Sequence, residues 1–224
     1  MTRAVFDVNL LVSGMVGYFP EAVYYGPQSQ DPNIACKTIV LQFGGASASG
    51  YLSQAEVQAG MQELRQEGEF KDGVFRRRAD VEGKRNMDGY QAIWEHVNAR
   101  PMVYPKPRYP QPIFMDPASY EWVPVAGQPG VAEKLLGVFT ERRSEASFFR
   151  LDAGASFVAR GKGVYMVTHG SGTAGGQPLR ALTTIYLDAG ETVTFTAQAE
   201  TELLHFGLPD LAGLRMPVHA EAAE

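Results

Sequence analysis

Metal ligation and nucleophilic catalysis would rest on few side chains here: four histidines, His96, His169, His205 and His219, and one cysteine, Cys36. One cysteine excludes an intrachain disulfide, a thiolate zinc site and a CxxC redox pair, and on a strand it reads as a small buried apolar residue. If His169 and His205 faced one interior, two imidazoles with Glu200 or Glu202 would form a two-histidine, one-carboxylate set suited to Fe(II). Simpler expectations compete with that set. His169 adjoins a Gly-rich turn and is expected in water, and of Leu203 and His205 one is expected to face out. His96 suits a helix C-terminus, where the dipole favours it, and His219 lies in a tail expected to fray. Gly170 to Gly172 and Gly175-Gly176 are hairpin turns, because no Gly-Lys-Ser/Thr follows to cradle a phosphate. No serine sits in a Gly-x-Ser-x-Gly elbow. The run from Arg76-Arg77-Arg78 to Lys84-Arg85 is either an anion-binding patch or a solvated loop. The interspersed Asp72, Asp80, Glu82 and Asp88 favour the loop.

The elements that must position these residues fall into three textures. Of the 224 residues, 45% are hydrophobic and 20% charged, which suits a folded chain with a sizeable core. The formal net charge of −5 argues against nucleic-acid binding as the main task, which needs a basic face. No apolar run is long enough to span a membrane, and the N-terminus lacks a signal peptide's apolar core. Residues 1–45 read as strands: Val5 to Val12, Val16 to Tyr25 and Lys37 to Phe43, bounded by Gly, Pro and Asn. Residues 53–67 read as a helix, opened by a Ser53/Glu56 capping box and a Leu52/Val57 staple and ended by Gly68. A shorter helix starts at Asp88 and carries Ile93, Trp94 and Val97. Residues 101–129 hold eight prolines, among them Pro110, Pro112 and Pro117. They read as an extended connector laid on a surface by Tyr104, Tyr109, Phe114, Tyr120 and Trp122. Beyond Val131 the chain alternates short strands with glycine turns: Leu135 to Thr140, Ala146 to Leu151, Ser156 to Ala159, Val164 to Thr168, Ala181 to Leu187, Thr192 to Thr196 and Glu202 to Phe206. That pattern indicates a sandwich or barrel.

Within this β region, Leu151-Asp-Ala-Gly154-Ala resembles the L-x-P-G-A opening of a cupin core. The stretch from Tyr186 through Gly190 to Thr196 resembles the second cupin motif, and Gly17 to Tyr24 resembles the end of another core. The chain thus resembles a two-cupin protein lacking the front half of its first barrel. The resemblance implies a jelly roll over residues 131–210, homodimers, and a metal such as Fe, Mn, Ni or Zn held by three histidines and a glutamate. The residues at those ligand positions differ. The first-motif histidines fall on Arg160 and Lys162, the glutamate near Met166 or Val167, and the last histidine around Ala199 or Glu200; in the N-terminal half it falls on Tyr24. A fixed cation has no lone pair to give a metal, and Met and Val are poor ligands for a hard divalent ion. Arg160 and Lys162 would instead project into the barrel among Phe148, Phe149, Phe157 and Tyr165, since two residues apart share a face on a regular strand. Such a pair could hold a carboxylate or enolate, with the arginine bidentate and a desolvated lysine able to act as base. Gly161 and Gly163 equally suit a rim turn that leaves both cations in water.

These readings converge on a mainly β fold: partial cupin-like strands and two helices over 1–100, a connector over 101–130, a cupin-like barrel over 131–214, and a tail over 215–224. The expected function is binding of a small organic ligand, aromatic or carboxylated, by a cytoplasmic, metal-free protein through Arg160, Lys162, Phe149, Tyr165 and His205. Two alternatives stay open. One is a cupin enzyme, either a cyclase or isomerase or a dioxygenase with a metal on His169, His205 and Glu202; the other is a structural or interaction subunit. Three N-terminal strands cannot close a barrel, so either a second subunit completes their sheet or Met1 is not the natural start. Light scattering at micromolar concentration is expected to give the mass of two chains, and a monomer would overturn that pairing.

Overall fold

The computed structural model describes residues 14–21, 23, 38–41, 49–104, 106–139 and 143–208. The expected strand at Val5 to Val12, the ends of the next two, and Cys36, Tyr24, His219 and the tail lie outside these. The described residues form two compact units, one from the residues up to 23 together with those from 107 on, the other from those between 38 and 106.

The first unit is a sandwich built from one long hairpin wound on itself. Its strands are β7 (Val131–Val138), β8 (Glu145–Leu151), β9 (Ser156–Arg160), β10 (Gly163–His169), β11 (Gly172–Ala174), β12 (Gln177–Leu179), β13 (Thr184–Leu187), β14 (Thr192–Ala197) and β15 (Thr201–Gly207). From β8 onward the ladders nest: β8 pairs with β15, β9 with β14, β10 with β13 and β11 with β12, all antiparallel. Further pairing of β10 with β15 and of β11 with β14 completes two facing sheets. This nested pairing is the jelly-roll arrangement. The β11–β12 hairpin occupies residues that the sequence presents only as turns.

Between the sheets, Val131, Phe149, Leu151, Tyr165, Val167 and Leu203 of the larger sheet meet Phe157, Ala159, Phe195 and Ala197 of the smaller one. Phe149 stacks on Phe157 with ring centroids 4.5 Å apart. The alternate residues of the larger sheet, Leu136, Phe148, Met166 and Leu204, form a second core on its outer side. The proline-rich connector covers them. Its strand β5 (Ile113–Met115) pairs with β1 (Val16–Tyr18), a short 3-10 turn follows at Pro117–Ser119, and β6 (Val123–Pro124) adds to the edge at β7. Trp122 completes the cover, with Lys134 Nζ and Arg150 Cζ each 4.7 Å from its ring. The strand expected at Val16 is therefore real and pairs along one edge with β5 of its own chain. Thr38 to Leu41 form no strand.

The second unit pairs α1 (Gln54–Leu64) and α2 (Gly89–Asn98) with a sheet of β2 (Gly68–Lys71), β3 (Val74–Arg77) and β4 (Asn86–Asp88). The capping box is present, with Ser53 Oγ accepting from the Glu56 N–H and Glu56 accepting from the Ser53 N–H. Asp88 caps α2. Arg65 ends α1, and Gly68 opens β2. Of the charged stretch expected as a loop, Arg76 and Arg77 end β3 while residues 78–85 form no strand. The β2–β3 hairpin turns at Asp72-Gly73, both with positive φ, the Asp-Gly signal for a tight hairpin. His96, in the last turn of α2, sits 2.6 Å from Glu63.

Phe157→Ala removes a ring buried between the two sheets. It is expected to cost about 3–5 kcal/mol, read as a lower denaturation midpoint at constant m-value; a change under about 1 kcal/mol would show that this core is not close-packed.

Candidate functional site

Four adjacent strands align one row that runs inward from an exposed end, with Leu135 of β7 opposite Ser147 of β8, Ser147 opposite His205 of β15, and His205 opposite Tyr165 of β10. A neighbouring row runs Glu145, Gly207, Gly163. Its two glycines leave the volume that the polar side chains occupy. A Cβ on Gly163 would lie 2.6 Å from His205 Nε2, and one on Gly207 only 2.4 Å from Glu145 Cγ. On the other side of the row, Glu133 projects from β7.

The polar atoms form a chain. Ser147 Oγ is 3.1 Å from His205 Nδ1, and the Ser147 side chain also hydrogen-bonds Glu133, opposing part of the rise that burial imposes on its carboxyl. A proton on Nδ1 lets the Ser147 hydroxyl accept from the ring while it donates to the Glu133 carboxylate. Glu145 Oε1, 3.7 Å from the same nitrogen, favours that tautomer as well. Both oxygens face Nδ1, so a serine–histidine–acid relay, which needs its two partners on opposite ring nitrogens, cannot form.

Burial sets the charges. His205 is 6% exposed, stacked on Tyr165 at 4.3 Å, and desolvation pushes its pKa down to about 4. Burial also drives the Tyr165 hydroxyl up to about 12, and that hydroxyl donates to the Arg160 carbonyl at 2.9 Å. Glu133 is raised by burial and by the charge of Glu145, and Glu145 by burial, opposed by Arg143. Two half-buried carboxyls therefore stand above a neutral imidazole. Leu135, 50% exposed, leaves this end of the sandwich open to water.

Of the residues singled out from the sequence, Phe149, Tyr165 and His205 converge, with Phe149 5.8 Å from the His205 ring. Arg160 does not join them. Phe157 and Ala159 turn inward on β9, so the last residue of that strand turns outward and is exposed. Lys162 is half-buried in the turn beyond, off any strand, so the two cations do not share a strand face. Leu203 and His205, two positions apart, both face the interior, correcting the expectation that one turns out. His169 is exposed at the end of β10, and the Glu202 carboxylate accepts from Thr168 Oγ1 at 2.9 Å. Strand alternation sets Glu202 on the face opposite His205, so His169, His205 and Glu202 are not brought together. Among the described residues no three His, Cys, Asp or Glu side chains could share an ion. The residues at the ligand positions implied by resemblance do not fit a metal either: an exposed guanidinium at 160, Met166 in the outer core, Val167 in the inner core, and exposed Ala199 and Glu200.

The nested strand pairing makes the sandwich a jelly roll. No family model and no curated protein matches the sequence. Solved structures overlap part of it. An RmlC-like cupin from Shewanella frigidimarina NCIMB 400 is 18% identical, with 42% of this chain and 88% of that one covered and a TM-score of 0.35. An acetylacetone dioxygenase from Acinetobacter johnsonii is 23% identical, with 42% and 70% covered and a TM-score of 0.36. The structure of Rhodobacter sphaeroides SigE in complex with the anti-sigma ChrR is 16% identical, with 41% of this chain covered and a TM-score of 0.35. The match spans half of that last chain. Among the described residues no helix is long and apolar enough to cross a membrane.

Burial of neutral His205 ties stability to pH. Between its unfolded value of 6.5 and about 4, the unfolded chain binds a proton that the fold refuses. Stability is therefore lost as pH falls through that window, by about 3 kcal/mol in total at roughly 1.4 kcal/mol per unit. The raised Glu133 and Glu145 act oppositely, stabilising the fold as pH falls through their raised values toward 4.5, and offset part of the loss. His205→Phe keeps a stacked ring without the titration. Its denaturation free energy is expected to fall less from pH 7 to pH 4.5 than that of the wild type, and equal slopes would contradict a neutral buried imidazole.

Proposed function

We propose that the jelly roll is a metal-free small-molecule-binding module, with its polar site at the open end where Glu133, Glu145 and Ser147 lie above His205 and Tyr165. The observation that supports this reading is the hydrogen-bonded chain from His205 through Ser147 to Glu133, beside a second raised carboxyl. Buried polar chains of this kind hold their members in fixed orientations, and an apolar, aromatic surround with few convergent polar groups suits an organic ligand. The sign of the site differs from that suggested by the Arg160/Lys162 pair. Two carboxyls disfavour a carboxylated ligand and suit an aromatic molecule carrying a basic nitrogen or hydroxyl donors.

The raised carboxyls favour a second reading, an isomerase or cyclase. A carboxyl with a raised pKa exchanges protons nearer neutral pH, and Glu133 could pass a proton along Ser147. In that case Glu133→Gln would abolish turnover while leaving ligand affinity largely intact.

Thermal-shift titration with paired aromatic amines and aromatic acids tests the binding reading. Amines are expected to raise the melting temperature of the wild type and not of Glu145→Gln. Equal shifts with acids, or shifts that survive Glu145→Gln, would remove this site. Plasma mass spectrometry on untagged protein is expected to find only trace metal; near one equivalent of Fe, Mn, Ni or Zn per chain would replace the metal-free reading with an oxygenase or isomerase centre.

A further inference from the structure

The second unit holds a concentration of arginine that nothing in the jelly roll accounts for. A cavity of about 910 Å³ opens beside β2, β3 and β4, lined by Arg65, Arg76, Arg77, Arg78 and Arg85 against one acid, Glu69. Lys71 and Lys84 lie in the same stretch of chain yet do not line it. The cavity is thus selectively guanidinium. Its walls are also fixed: the Arg77 N–H donates to the Arg85 carbonyl at 2.8 Å, and the Arg78 N–H to the Glu67 carbonyl at 2.9 Å. These bonds hold the backbones of Arg77, Arg78 and Arg85 close together, so their side chains start from neighbouring points.

Not all five charges are available. Arg77 is ion-paired with Glu67, and Arg78 lies 3.4 Å from Asp80. Arg65 ends α1, where the helix C-terminus itself favours a cation. Arg76 and Arg85 have no such reason. Both are exposed, and among the described residues neither closes an ion pair, although Glu69 stands directly across the ladder from Arg76. Clustered like charges without counter-ions destabilise a fold by self-repulsion. A bound anion relieves it.

We propose that this cavity binds a compact small molecule carrying a chain of phosphates. Guanidinium forks match phosphate oxygens two at a time, where lysine offers only a point charge. Several forks around one concave space suit a ligand with several adjacent negative charges. The volume lies within the range of small-ligand sites, and the chain's net charge of −5 disfavours an extended nucleic acid.

The test is calorimetric titration of the full chain with inorganic tripolyphosphate, ATP, citrate and a short single-stranded RNA. Tripolyphosphate is expected to bind at one site per chain. Each of Arg76→Ala and Arg85→Ala should weaken it at least tenfold, while Lys71→Ala and Lys84→Ala stay within twofold of the wild type. ATP binding as tightly as tripolyphosphate would mark recognition of the phosphate chain alone, and tighter ATP binding would mark a nucleotide; both support the site. Citrate matching tripolyphosphate, RNA binding alone, or equal losses from the lysine and arginine variants would overturn it. Both arginines are exposed, so their removal is expected to leave the circular dichroism spectrum unchanged. Without ligand each should raise the melting temperature slightly, and a lowered one would assign the arginines to the fold and count against the site.

Discussion

Strand β15 is paired on both edges and covered on both faces, and the jelly roll depends on that one constraint. Its edges are taken by β8 and β10. Leu203 and His205 enter the space between the sheets, while Leu204 and Phe206 meet the outer core. Over Leu203 to Phe206 a strand so enclosed has no face left for a charged group. The imidazole it carries inward is therefore neutral, and the carboxyls that could partner it sit at the rim of the sheet. The site's electrostatics follow from where the strand lies.

The outer core explains the connector. A sheet with Leu136, Phe148, Met166 and Leu204 on its back would expose a large apolar patch, and the proline-rich segment covers it. Proline suits this task because it lies extended at little entropic cost and asks for no ladder partner. Tyr109, Ile113, Met115 and Tyr120 supply the buried area, and Trp122, flanked by Lys134 and Arg150, seals the edge where core meets water. The same segment gives β1 its partner, so an N-terminal strand that looks orphaned in sequence is paired along one edge within its own chain.

Much of this was legible in the residues. Both helices were marked by their caps, because a serine or aspartate three positions before a side-chain or backbone partner is a local signal. Most jelly-roll strands were marked by apolar runs between glycines. Hairpins of three-residue strands, β11 with β12, were not, since so short a run carries no period. The Asp72-Gly73 turn was a readable signal obscured by the surrounding charges. At the site, Phe149, Tyr165 and His205 could be found as interior residues of strands, but Glu133, Glu145 and Ser147 could not. Their meeting depends on register across four strands and on Gly163 and Gly207 making room, which one sequence does not display. Arg160 went astray by parity: with Phe157 and Ala159 turned inward, residue 160 had to turn outward.

The nested order of the ladders also orders the events by which the barrel can assemble. Ala174 meets Gln177 across a turn of two residues, whereas Glu145 finds Gly207 only after every strand between them has been made. Each doubling of an open loop costs about 0.6 kcal/mol in closure entropy, so zipping outward from the β11–β12 apex is the cheapest route, through β10 with β13 and β9 with β14. Along that route the pairing of β8 with β15 comes last. The Ser147–His205 contact belongs to that outermost ladder, so on this route the polar chain forms as the barrel closes.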